Sequence, residues 1–250
     1  MYMVAKASLN GLKVLVTRPE QQAQKLCDMI LQSGGQAMPF PVIDIVPIAM
    51  KEWPTFSLAE LDMIIFVSRN AVVHFIGALS EPLLEQIQLV SVGAGSAASM
   101  REHGLRVDIQ PEQSIGSEGL LLMPAFDDMV GKNVLIIRGK GGRELLANTL
   151  VERGAAVHYL EVYERALPTP SAEQCDDALS SECIVCTSVE GVKNLNTLLQ
   201  KGLKTVLDKP MLVVSERIKT YAGSVGFQHI IVTSDVSDGA VLEQLVKLEI

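Results

Sequence analysis

Short runs of Val, Ile and Leu alternate along the chain with longer stretches in which apolar residues recur every three to four positions. The first cycle predicts a strand at 13–17, a helix at 20–32 and a strand at 36–40. Apolar runs at 63–67, 89–92 and 107–109 follow, separated by helices after Ser68, Ala94 and Ile115, and the rhythm resumes with runs at 134–137, 184–186, 212–214 and 230–232. Strands that are apolar throughout are covered on both faces, and strands alternating with helices pair in parallel.

The chain also matches itself. An offset of 120 residues lays GLKVLVTRP, from Gly11, on GKNVLIIRG, from Gly131, and IIFVSRNAV, from Ile64, on IVCTSVEGV, from Ile184, so that Arg18 falls on Arg138 and Ser68 on Ser188. After a slip of two residues Gly104 meets Gly226, and SEGL, from Ser117, then meets SDGA, from Ser237. Two copies of one unit are implied. The expected fold is α/β, with two similar doubly wound parallel-sheet domains of flavodoxin-like type.

Two proline-bounded segments break this rhythm at equivalent places, PFPVIDIVPIAM and VHYLEVYERALPTP, with Val42 lying over Val162. Alternating apolar and polar residues between prolines predict extended connectors rather than central strands. The expected organisation is a discontinuous first domain of residues 1–38 and 168–250, a second domain of residues 49–157, and inter-domain linker strands at 39–48 and 158–167.

Composition narrows the function classes. The 250 residues are 48% hydrophobic and 20% charged, enough for two packed cores. No apolar run has the length of a membrane span and the start lacks a secretory signal, so a cytoplasmic protein without a membrane partner is expected. A net charge of −8 without a basic stripe argues against nucleic acid. It leaves room for a small polyanion held by local donors.

Cys183 and Cys186 have CxxC spacing but lie in a predicted strand, where positions three apart face opposite ways, so they are expected as buried structural thiols. The four histidines lack ligand spacing, and no metal is expected. RGKGGRELL, after a strand, has Glu144 where a dinucleotide fingerprint has its third glycine and lacks the ending of a P-loop; VGAGSA has Ala98 at the corresponding place. A nucleotide cofactor is therefore not expected.

Ligands of open α/β sheets bind beyond the carboxyl ends of the strands. The repeat puts polar residues there: Arg18, Ser68 with Asn70, Gly93 and Ser96, Arg138 and Gly139, Ser188, and Ser215 with Glu216 and Arg217. The serines also suit helix N-caps, a role compatible with binding. Tyr163 breaks the repeat, since its counterpart is Ile43, and it offers a hydrogen bond or a proton.

The motifs VLVTRP at Val14, FVSRNAV at Phe66, VGAGSA at Val92, LIIRGKGGRELL at Leu135, VYER at Val162, TSVEG at Thr187 and LVVSER at Leu212 resemble, in order and spacing, the uroporphyrinogen-III synthase (HemD) family over nearly the whole chain. The resemblance implies two related α/β domains on a two-stranded linker with the active site in the cleft. It implies a hydro-lyase, without cofactor, that converts hydroxymethylbilane to uroporphyrinogen III. In the family scheme the terminal hydroxyl leaves to give an azafulvene cation, ring D attacks through its substituted carbon to form a spiro intermediate, and fragmentation and reclosure invert that ring.

Carried onto this chain, the family's tyrosine matches Tyr163, and its backbone contacts to substrate carboxylates match the turns at Ser68, Gly93 to Ser96, Ser188 and Ser215 to Arg217. Arg18 and Arg138 are added as carboxylate partners. Many members carry Gly and Thr where this chain has Ser215 and the residues after it, so the expectation there rests on backbone amides. A monomer is the default expectation. The alternatives are a non-catalytic two-domain cleft protein binding a small polyanion, and a nucleotide-dependent enzyme.

Overall fold

The computed structural model describes residues 8–55, 57–79, 83–112 and 116–248. In chain order its strands are β1 (Lys13–Val16), β2 (Gln36–Pro39), β3 (Asp44–Pro47), β4 (Met63–Phe66), β5 (Gln88–Ser91), β6 (Asn133–Gly139), β7 (Ala156–Ala166), β8 (Cys183–Cys186), β9 (Met211–Val213) and β10 (Ile230–Val232). Its helices are α1 (Glu20–Gln32), α2 (Arg69–Ile76), α3 (Ala94–Glu102), α4 (Ser117–Leu121), α5 (Leu145–Glu152), α6 (Ala172–Leu179), α7 (Val189–Leu198), α8 (Leu203–Leu207), α9 (Glu216–Ser224) and α10 (Asp238–Val246). The chain forms two compact units. Unit 1 takes the residues up to Asp44 and those from Ala166 onward; unit 2 takes Ile45–Arg165.

Unit 1 is a five-stranded sheet in the order β10-β9-β8-β1-β2, parallel throughout. Numbered within the unit this is the 2-1-3-4-5 order of flavodoxin-like folds. Unit 2 has the order β3-β7-β6-β4-β5, with the β7–β6, β6–β4 and β4–β5 pairs parallel. The repeat equates β6 with β1, β7 with β2, β4 with β8 and β5 with β9, so the four shared strands keep one spatial order in both sheets although the chain visits them in a different sequence.

Every residue of β4 and of β8 is buried, as the unbroken apolar runs require. Alternate residues serve opposite faces. In unit 2, Ile64, Phe66, Leu135 and Ile137 pack with Phe75 of α2 and Met100 of α3, while Met63, Ile65, Val134 and Ile136 pack with Leu120 of α4 and with Leu146 and Leu150 of α5. In unit 1, Val14, Val16, Cys183 and Val185 pack under Leu26 and Ile30 of α1 and Val241 and Leu245 of α10. Each such side chain contributes about 1.5–3 kcal/mol by leaving water. Cys183 and Cys186 are both fully buried, and burial pushes the Cys183 thiol up to about 12.

The segment expected as a linker at 158–167 lies mostly within β7, an 11-residue strand paired with β6 from Ala156 to Tyr163. Its prolines lie beyond its end, and Leu160, Val162 and Tyr163 are buried core residues, so the segment is held by the sheet. The other expected linker, 39–48, supplies the edge strand β3, with Pro47 at its end, where a missing N–H disturbs pairing least. The run at 107–109 makes only a parallel bridge, Val90 to Ile109. The helix expected after Ile115 is α4, and Ile115 itself lies outside the described residues.

Candidate functional site

At the carboxyl ends of the parallel strands the chain turns into helices whose first N–H groups need partners. Ser68 Oγ accepts from the Ala71 N–H at 3.0 Å, Ser188 Oγ from Gly191 at 2.9 Å and Ser215 Oγ from Ile218 at 3.4 Å. Gly93 precedes α3 in an extended conformation, and the buried Ser96 donates to its carbonyl at 3.0 Å. Asn70 is also buried. Glu216 opens α9 and complements its amino end.

The turn from β6 to α5 is built differently. Gly141 and Gly142 have φ of 71° and 116°, values that side-chain-bearing residues resist. The Gly141 N–H donates to Glu161 Oε1 at 3.0 Å. Arg138 folds back under this turn: its Nε donates to the Gly141 carbonyl at 3.0 Å, its Nη1 to Glu144 Oε1 at 3.0 Å, and its guanidinium lies 4.4 Å from the centre of the Tyr159 ring. The Tyr159 hydroxyl donates to the other Glu144 oxygen. That bond, followed by the one from Arg138, holds the Glu144 carboxyl below the usual range, and burial together with Glu144 pushes Tyr159 up to about 12.

Tyr163 is 1% exposed. A register shift between Arg138 and Gly139 sets it opposite Gly139 and brings the consecutive residues Val162 and Tyr163 into one core cluster. Its hydroxyl lies 3.1 Å from Ser68 Oγ and 3.5 Å from Arg165 Nη2, and its ring packs on His74 with centroids 5.8 Å apart. His74 Nε2 is buried without a hydrogen-bond partner, and burial lowers its pKa.

These residues surround a pocket of ≈ 180 Å³ in unit 2, lined by Ser68, Ser117, Arg138, Gly139, Tyr163 and Arg165 among others. Of the residues proposed from sequence, the pocket therefore gathers Ser68, Arg138, Gly139 and Tyr163. Unit 1 has an open depression of ≈ 660 Å³ at α7 and α9, lined by Ser188, Glu190, Arg217 and Tyr221. Arg18, Asn70, Gly93, Ser96, Ser215 and Glu216 line neither. Arg18 is ion-paired with Asp238 at the start of α10, so both arginines proposed for carboxylates have partners within the protein.

Sequence reasoning did not single out Ser117, Arg143, Tyr159 or Arg165. The signal was present, because Arg143, Tyr159 and Arg165 fall at the offset on Ala23, Pro39 and Ile45, so each is polar in one copy only. Among the described residues no group of three or more His, Cys, Asp or Glu side chains is gathered as a metal centre requires. No helix among them is long and apolar enough to cross a membrane.

The fold and the pocket define an α/β protein of the doubly wound class with a polar site at its strand ends. A family model described as "Uroporphyrinogen-III synthase HemD" matches residues 22–243. The chain is 30% identical over 247 residues to the uroporphyrinogen-III synthase of Escherichia coli (strain K12), covering 94% of this chain and 100% of that protein. It is 30% identical over 255 residues to that of Salmonella typhimurium, again covering 94% and 100%. Among solved structures, uroporphyrinogen-III synthetase from Helicobacter pylori 26695 matches with a TM-score of 0.67 at 17% identity, covering 95% of this chain and 100% of that one. A mutant uroporphyrinogen III synthase from Thermus thermophilus matches with 0.59 at 17% identity, covering 96% and 100%. The chain belongs to the uroporphyrinogen-III synthase family.

Proposed function

We propose that this chain closes hydroxymethylbilane, a linear tetrapyrrole, into uroporphyrinogen III with inversion of ring D and loss of one water. The observation that carries the reading is the buried phenol of Tyr163, hydrogen-bonded to Ser68 at a pocket on the strand ends. In this scheme the terminal C–O bond breaks as Tyr163 gives its proton to the departing hydroxyl, which leaves as water. Electrons of the adjoining pyrrole nitrogen form the azafulvene cation. Ring D attacks through its substituted carbon, the spiro intermediate fragments and recloses, and the ring-carbon proton lost on restoring aromaticity returns a proton to the phenolate.

Backbone amides at the strand ends hold substrate carboxylates. Preorganised donors serve such a reaction well, because the substrate cyclises unaided and the protein must govern which carbon attacks. Arg138 supports this indirectly by fixing the β6–α5 turn. On the same reading the protein works as a monomer in the cytoplasm, with the small-molecule substrate as its partner.

The test is to add the protein to fresh hydroxymethylbilane and separate the oxidised uroporphyrin isomers. Isomer III in excess of the spontaneous isomer I supports the reading. Isomer I alone from folded protein overturns it and leaves a polyanion binder.

A further inference from the structure

Gly139 ends β6, and its conformation does not explain why it is glycine. Unlike Gly141 and Gly142, it lies outside the left-handed region. What a side chain would meet does explain it. A Cβ at position 139 would stand 2.5 Å from Tyr163 Cζ, 2.6 Å from Cε2 and 2.9 Å from the hydroxyl oxygen. A glycine within a strand marks close approach by another group, and here that group is the phenol ring.

The hydroxyl itself has a defined hydrogen-bond inventory. A tyrosine oxygen accepts at its lone pairs and donates one proton. Arg165 Nη2 can only donate to it. Ser68 Oγ already accepts the Ala71 N–H, and its own proton is free to donate to Tyr163 at 3.1 Å. With Ser68 and Arg165 both donating, the phenolic proton is left for a group in the pocket.

We propose that Gly139 and Ser68 are positioning residues for Tyr163: Gly139 lets the ring lie flat on the end of β6, and Ser68 donates to the oxygen so that the phenolic proton points to the departing hydroxyl. The assignment rests on the reading of Tyr163 as the acid. It changes the role of Gly139 from a substrate-binding backbone to a seat for the ring.

Four proteins test it: wild type, Gly139→Ala, Tyr163→Ala and the double variant, assayed for isomer III formation and unfolded in urea. Gly139→Ala should lower kcat about 10²-fold, the scale of a misplacement near 1 Å, with little change in KM. Added to Tyr163→Ala, whose short side chain leaves the space open, it should lower kcat by no more than about twofold. An equal loss in both backgrounds overturns the assignment of Gly139.

Ser68 is tested separately, so that a poorly folding Gly139→Ala does not leave the matter open. Ser68→Ala should lower kcat rather than raise KM, and Ser68→Thr, which keeps both hydroxyl and cap, should restore it. A kcat unmoved in Ser68→Ala overturns the donor role. The urea series needs no substrate: Gly139→Ala should lower the midpoint in the presence of Tyr163 and much less in its absence. If wild type forms only isomer I, the catalytic reading fails, and this stability coupling alone decides whether Gly139 exists to seat the ring.

Discussion

The two copies of the repeat build the same strand end twice and use it differently. In unit 1 β1 is followed directly by the buried Thr17, whose hydroxyl donates to the Val185 carbonyl at 2.9 Å, and α1 begins soon after at Glu20. At the 120-residue offset Glu20 falls on Lys140, yet α5 begins only at Leu145. The first turn of α1 is thus unwound in unit 2 into the glycine loop that lines the pocket. Arg18 reaches Asp238 in α10, whereas Arg138 turns under the loop to Glu144 and leaves Glu118, the counterpart of Asp238, to Arg143. Ile43 and Pro19 become Tyr163 and Gly139. A duplicated scaffold keeps its caps and its core and places new chemistry where one copy departs from the other.

Exchanging the differing residues breaks the comparison. The largest effect is expected from Tyr163→Ile, which installs the residue of unit 1. Turnover should fall about 10²-fold, or about 2.7 kcal/mol, at the low end of what a positioned acid contributes. Near-wild-type urea midpoints would separate this from unfolding. The reverse exchange, Ile43→Tyr, should leave turnover unchanged, because no counterpart of Gly139 exists to seat the ring. Equal effects of the two exchanges would mean that the asymmetry at this pair has no role.

A smaller effect tests the unwound turn. Gly141, with φ of 71°, stands where unit 1 has Gln21 inside α1. Gly141→Gln should cost about 1–2 kcal/mol, because a residue with a Cβ resists that conformation even though nothing lies within 4 Å of the added atom. The mirror change, Gln21→Gly, should cost about 0.5–1 kcal/mol through lost helix propensity. Urea midpoints measure both. If Gly141→Gln were free, the loop would be no more than an unwound helix able to rewind.

The sheets were legible in the sequence because each buried strand is an unbroken apolar run and the repeat fixed which runs correspond. The linker strand expected at 158–167 lies mostly within β7; its amino-terminal half alternates exposed and half-buried residues and full burial begins only at Leu160, so the pattern alone does not reveal how far it pairs with β6. Broken symmetry alone makes Tyr163 a candidate, and the serine caps were legible from position. That Gly139 faces Tyr163 was not, because their pairing depends on a register shift in the β6–β7 ladder. Nor does any spacing reveal that Arg138 turns inward onto Tyr159, because its direction at the end of β6 is set by bonds to Gly141 and Glu144 in the turn that follows.

The smallest effect sharpens the comparison at Tyr159 and Glu144, for which unit 1 has Pro39 and Gln24. The raised pKa of Tyr159, about 12 against an ordinary 10, means that folding favours the neutral phenol. Its contribution to stability is therefore fully present below pH 10 and is lost as the pH rises from 10 through 12. Glu144 behaves in the opposite sense: its carboxyl is held below its ordinary value, so its contribution is present above about pH 4.5 and fades as the pH falls further. The near-ultraviolet phenolate absorbance of wild type minus Tyr159→Phe isolates the phenol. A midpoint near 12 that falls towards 10 in Glu144→Gln is expected, and a midpoint already near 10 in wild type would break the link between Tyr159, Glu144 and the folded turn. Because Arg138 donates to Glu144 and lies against the Tyr159 ring, the same titration in Arg138→Gln tells whether the guanidinium assembles this pair. Removing the guanidinium's charge alone would push the phenol still higher, so loss of the upward shift would show that the arginine shared by both copies has become, in unit 2, the prop that holds the unwound turn in place.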